Sequence, residues 1–282
     1  MKLDGRRTSS NVDDRRKTGK AAAGLGIGGI IIVGLITFLM GGNPLEVIMS
    51  QFANVPQTGT YIPSAEDDAM AVFASQILAG TEDVWAQEFK KMGRVYTPPK
   101  MVLFSGNTTS GYGTVSSKTG PFYSPADQTV YLDLSFFNEM RDKYRAGGDF
   151  AYAYVIAHEV GHHVQYLLGI LQEVDKLQRT MSKTESNQLN VRLELQADFY
   201  AGIWAYYEKT LFNSLDETDI DEGLNAASAI GDDRLQMQAQ GYTVPDSFNH
   251  GTSAQRSRWL KKGYTTGNVS DGDTYSVPYT SL

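Results

Sequence analysis

The sequence predicts a helix-dominated α+β domain with a small sheet, preceded by one transmembrane helix. Three observations carry this reading: an uncharged apolar stretch over residues 21–40, one cleanly alternating strand near the middle, and long helix-forming segments from residue 135 onward. The chain has 282 residues, 41% of them hydrophobic and 20% charged, which suits one or two globular domains and excludes fibrous or disordered classes. It has no cysteine, so disulfide scaffolds, Cys-type zinc fingers and thiol nucleophiles are excluded, and any metal site must use His, Asp and Glu. The net charge of −7 argues against a nucleic-acid partner, which calls for a basic footprint.

The charge is unevenly placed. Residues 1–20 carry Lys2, Arg6, Arg7, Arg15, Arg16, Lys17 and Lys20 against Asp4, Asp13 and Asp14, a net of +4 that leaves −11 for the remainder. Residues 21–40 then run without a charge, and about 20 apolar residues span a bilayer core as a helix. A cleaved signal peptide is the competing reading, but no A-x-A pattern follows the run. The Lys/Arg excess predicts residues 1–20 as a basic cytoplasmic tail and 21–40 as a single-pass anchor in the cell membrane, with the domain extracytoplasmic. Gly24 and Gly28 form a GxxxG pair, a pattern seen in helix pairing, but the oligomeric state stays open.

Residues 41–63, with three prolines, suit a linker, and 64–264 form the domain. Met70, Phe73 and Ile77 recur at helical spacing over 64–94, with Thr81-Glu82-Asp83 reading as a second helix start. Residues 101–104 suit a short strand, and the Gly/Ser/Thr-rich 105–125 a loop with at most short strands. In 128–134, Val130, Leu132 and Leu134 alternate with Thr129, Tyr131 and Asp133, predicting a half-buried strand. The polar stretch 265–282 is expected to be a mobile tail.

His158-Glu159-Val160-Gly161-His162 matches HExxH. On a helix, residues four apart share a face, so His158 and His162 can grip one metal while Glu159 is placed to take a proton from an attacking water. Asp149 can cap this helix, and Tyr152, Val155, Ile156, Val160, Val164 and Leu167 mark it as buried, where histidines are costly unless satisfied. A hydrolytic zinc site needs three protein ligands. The HExxHxxGxxH extension fails, because Gln165 and Leu168 occupy its Gly and His positions. The remaining source is a carboxylate on a second helix. Ser182 and Glu185 form a capping box that starts one running to about Glu208, with Glu194 and Asp198 on one face. Glu194 is the expected third ligand, and Asp198 is placed to hydrogen-bond the outer ring nitrogen of a ligating histidine. A solvated helix face is the alternative, although Ala201 and Ala205 continue this face. His163 points about 100° from His162 and suits packing. His250 and Arg256 are candidates for stabilising the oxyanion of a tetrahedral intermediate.

Several blocks resemble a known family. They are Gly5-Arg6-Arg7 with Asn11-Val12-Asp13-Asp14-Arg15-Arg16, Gly120-Pro121-Phe122-Tyr123, Tyr131-Leu132-Asp133-Leu134, the HExxH block with His163, Glu194-Leu195-Gln196-Ala197-Asp198, and His250-Gly251 with Ala254-Gln255-Arg256. In this order, from residue 5 to about 260, they resemble the neutral zinc metallopeptidase family of bacterial membrane-anchored proteins. The resemblance implies a zincin-like fold, one Zn²⁺ per chain and peptidase activity. It also implies that the strand at 128–134 lies on the cleft rim and pairs with an extended substrate, a plain structural edge strand being the alternative. The family commonly has cysteines where this chain has Tyr112 and Ser124. If they are bridged there, both partners are lost here and the Gly-rich loop must be held by packing.

The expected function is a membrane-anchored zinc metallopeptidase acting on a peptide or protein substrate, with His158, His162 and Glu194 as metal ligands and Glu159 as base. A non-catalytic envelope protein with a structural zinc, and a zinc amidohydrolase acting on cell-wall material, are the alternatives. Zinc suits a His₂Glu donor set, with Mn or Co compatible.

Overall fold

The computed structural model describes residues 1–17 and 61–282, so the transmembrane helix predicted at 21–40 and nearly all of the linker lie outside the described residues. Among the described residues no helix is long and apolar enough to cross a membrane. What is described is helix-dominated α+β with a small sheet, in two compact units. The first unit comprises Met1–Ser10, Phe73–Pro98 and Phe137–Leu282; the second comprises Pro99–Phe136 and the described part of Asn11–Val72.

The second unit holds the sheet. Strands β1 (Val12–Asp14), β2 (Lys100–Phe104), β5 (Phe122–Ser124) and β6 (Thr129–Asp133) lie in the order β1-β2-β6-β5. β1, β2 and β6 run parallel, and β5 is antiparallel to β6. β6 is the strand expected to be half-buried at an edge, and the structure corrects this. All five of its residues are buried and it is paired on both sides. Its polar face is buried because partners satisfy it. Thr129 Oγ1 donates to Asp127 O at 2.9 Å, Tyr131 OH donates to Asp127 Oδ2 at 2.7 Å, and Asp133 accepts from Gly106 N at 2.9 Å. With its backbone groups consumed by two neighbours, β6 is not a docking edge for substrate.

The Gly-rich loop contains the hairpin β3 (Asn107–Ser110) and β4 (Gly113–Ser116). Asp127 also accepts from Gly111 N at 2.6 Å, so one carboxylate fastens the hairpin turn to the Tyr131 hydroxyl. Ser124 is fully buried with its hydroxyl unpartnered among the described residues.

Helix α1 (Ala65–Lys91) is continuous, so the second start read at Thr81 is corrected. Thr81 is buried and its hydroxyl donates to Leu78 O at 2.7 Å, which satisfies it within the helix. After α2 (Ser135–Asp142), the first unit is built from α3 (Asp149–Leu168), α4 (Ile170–Gln178), α5 (Lys183–Thr210), α6 (Glu217–Ala229), α7 (Asp232–Gln240) and α8 (Ser253–Thr266). The predicted Ser182–Glu185 capping box opens α5. Asp149 is not a cap: Gly148, at φ 131°, takes that position without a side-chain hydrogen bond.

Both ends of the chain depart from expectation. Residues 1–17 are not a free basic tail: Arg6 pairs with Glu208, Arg7 with Glu82 and Asp83, Arg16 with Asp14 and Asp68, and β1 joins the sheet. Residues 265–282 are not a loose tail either. Arg192 on α5 donates to the carbonyls of Thr274 and Val277, and Gln196 Nε2 donates to Gly272 O at 3.0 Å. Side chains from a distant helix satisfy that backbone, which is why a polar, Gly-rich composition misleads there.

Candidate metal centre

The centre forms where α3 meets α5. Gly161, inside the HExxH, makes the approach possible: a Cβ there would lie 3.0 Å from Ala197 O and 3.1 Å from Ala197 Cα. The absence of a side chain lets the two backbones meet between the histidines of one helix and the carboxylates of the other. His158, His162 and Glu194 each offer a ligand atom there, and these atoms lie within 4.8 Å of one another. His158 Nε2 is 3.2 Å from Glu194 Oε2, and His162 Nε2 is 3.6 Å from Glu194 Oε1.

Each imidazole is oriented from behind. His158 Nδ1 lies 2.8 Å from Asp198 Oδ1, as the spacing of Glu194 and Asp198 predicts. His162 Nδ1 lies 2.8 Å from Gln165 Oε1, a partner the sequence reading missed. Gln165 is fully buried, and its amide nitrogen donates to Leu193 O at 2.7 Å and to Gln196 Oε1 at 3.1 Å. With both amide hydrogens engaged, its oxygen must accept, so His162 carries its proton on Nδ1 and turns the Nε2 lone pair inward.

Arg256 does not aim at the reaction site, which corrects its candidate role at the oxyanion. It is 3% exposed. Its Nε and Nη2 donate to Asp198 at 2.9 and 3.0 Å, and Nη2 also reaches Tyr154 OH at 3.1 Å. Tyr154 OH in turn donates to Asp198 Oδ1 at 2.5 Å. Arg256 is thus the counter-ion that keeps a fully buried carboxylate ionised behind His158. Burial would raise the Asp198 pKa, but the Arg256 and His158 charges hold it below its ordinary value.

The centre calls for positive charge. Burial alone would lower the His158 pKa, yet Asp198 and Glu194 outweigh it and hold the imidazole at about 10. Burial likewise opposes ionisation of Glu194, and the two histidines pull it well below the carboxylate range. A divalent cation satisfies the same donors that here share protons, so the residues fit zinc. Glu159 is buried beside them, and its carboxylate has no hydrogen bond or ion pair among the described residues. His163 is a packing residue as expected: its Nε2 donates to Thr97 O at 2.7 Å, and burial pushes its pKa down to about 4.

His250 is 37% exposed, with Nδ1 3.2 Å from Asp232 Oδ1. Asp232, also missed from sequence, accepts the backbone N–H groups of Asn249, His250 and Gly251 at 2.7, 2.7 and 2.9 Å through its other oxygen. This holds the loop and aims the ring. Burial lowers the His250 pKa, but Asp232 and the charge of Glu194 carry it above its ordinary value.

Comparison with known proteins agrees with this chemistry. Residues 1–275 match the family described as "Putative neutral zinc metallopeptidase", and the chain belongs to that family. It is similar to the Escherichia coli K12 protein titled "Uncharacterized protein YpfJ", 48% identical over 285 residues covering 98% of this chain and 99% of the relative. It is also similar to "Uncharacterized protein Rv2575" of Mycobacterium tuberculosis H37Rv, 44% identical over 192 residues, 64% of each chain. No solved structure matches it.

Proposed function

We propose that this chain is a zinc metallopeptidase that hydrolyses peptide bonds of a peptide or protein substrate, attached to a membrane through residues 21–40. The observation that carries the reading is the convergence of His158, His162 and Glu194 within 4.8 Å, with Glu159 next to His158 on the same helix and its carboxylate free of hydrogen bonds and ion pairs among the described residues. Zinc held by those three side chains supplies Lewis acidity. Glu159 takes the proton of the attacking water and delivers it to the leaving amine. His250, oriented by its contact with Asp232, donates to the oxyanion of the tetrahedral intermediate.

The test compares wild type with Glu159→Gln for metal content and for cleavage of a peptide library. Zinc stays bound in the variant and hydrolysis is lost. Equal hydrolysis in the two proteins overturns the mechanism. Full zinc occupancy in the wild type without cleavage of any peptide favours a structural metal instead.

A further inference from the structure

The first ten residues form a clasp across the helices that carry the candidate metal ligands. The Met1 ammonium lies 2.9 Å from Asp219 on α6 and 3.7 Å from Asp149, the first residue of α3. Lys2 N donates to Ser214 O at 2.8 Å, just past the end of α5. Arg6 grips both oxygens of Glu208, in the last turns of α5, at 2.9 and 3.1 Å. Arg7 pairs with Glu82 and Asp83, and Ser9 bonds Glu82 at 2.5 Å and Ser75 at 3.0 Å.

Two features show that the body is built to receive this segment. Glu208 is 1% and Glu82 8% exposed, so each is a buried carboxylate whose counter-charge arrives from Arg6 or Arg7. A buried carboxylate deprived of its partner is strongly destabilising. On α1, Gly80 leaves the space this pair needs, since a Cβ there would collide with Glu208 Oε1 and lie 3.3 Å from Arg6 Nη2.

We infer that residues 1–10 and the metal centre lie on the same side of any membrane that residues 21–40 enter. The arginines that would read as a cytoplasmic retention signal in an isolated tail serve here as counter-ions of the domain itself. A tail on one face and the domain on the other would break the Arg6–Glu208 pair and take from Glu208 the cation that meets it. The inference holds whether or not the centre is catalytic.

The absence of cysteine from the chain makes the test clean. Ser10→Cys and Ser270→Cys, both at exposed positions, are expressed singly in the full-length protein and probed in spheroplasts with a membrane-impermeant maleimide, before and after lysis. The two cysteines label alike, both before lysis or both only after it. Labelling of one with protection of the other overturns the inference. A second measurement does not depend on the membrane: Arg6→Glu lowers the thermal midpoint of the full chain, and adding Glu208→Arg restores part of the loss. An unchanged midpoint in Arg6→Glu shows that the clasp is not made in solution, and the inference fails.

Discussion

Gln165 holds His162 through a 2.8 Å contact to Nδ1 while its own amide hydrogens are spent on Leu193 O and Gln196 Oε1. One histidine is therefore backed by a neutral amide and the other, His158, by the ionised Asp198. Gln165→Leu keeps the bulk and removes the acceptor, freeing the tautomer of His162. Zinc affinity, measured by competition with a chromogenic chelator, falls about 10- to 100-fold. An unchanged affinity means that the amide does not orient the ring.

Arg256 acts through Asp198. Arg256→Met leaves the Asp198 carboxylate, with 0% exposure, facing Tyr154 and His158 without the guanidinium that pairs with both its oxygens. Breaking a buried pair in this way costs about 3–5 kcal/mol, read from urea unfolding of the metal-free protein. A loss of turnover with stability intact would instead return Arg256 to the reaction site.

At Gly161, a methyl group would press on the Ala197 backbone at 3.0 Å. Alanine gains about 1 kcal/mol of helix propensity over glycine, but overpacking a close helix contact costs about 1–3 kcal/mol. Gly161→Ala is expected to lower the thermal midpoint and also to weaken zinc binding, because the contact sets the spacing between the histidines and Glu194. A variant more stable than wild type would show that the helices part freely.

The His250–Asp232 pair fixes a pH window. Burial opposes the Asp232 charge, but His250 and the backbone N–H groups win, so its pKa is lowered. Its contribution is then full above the ordinary carboxylate value, about 4, and is lost as pH falls through the lower folded value. The His250 pKa is raised, so its contribution is full below about 6.5 and is lost as pH rises through the higher folded value. The gap in urea midpoint between wild type and Asp232→Asn, measured with chelator present, is widest between about pH 4 and 6.5. A gap constant from acid to alkaline pH removes the pair from the account.

The candidate cluster is legible in the sequence because helical spacing is rigid. His158 and His162 share a face by arithmetic, and Glu194 with Asp198 repeats the same interval on a helix whose capping box marks its start. The partners that act across distance were not legible. Asp232 reaches a loop 17 to 19 residues away, and Arg256 meets Asp198 across 58, separations on which no local pattern reports. Gln165 was in view only as a failed match to a longer motif. β6 was misjudged because Thr129, Tyr131 and Asp133 look like a wet face, and only their partners show that it is dry. Arg6 and Arg7 read as a topological signal in the sequence alone, and only the fold shows that they pair with Glu208 and Glu82.

Asp198, on α5, collects donors from two other helices: Tyr154 and His158 on α3, and Arg256 on α8. None of these bonds requires a metal. The consequence is kinetic: on the proposed metal-binding reading, a cation would enter a seat already assembled, and its loading would be governed by access and ligand exchange rather than by refolding.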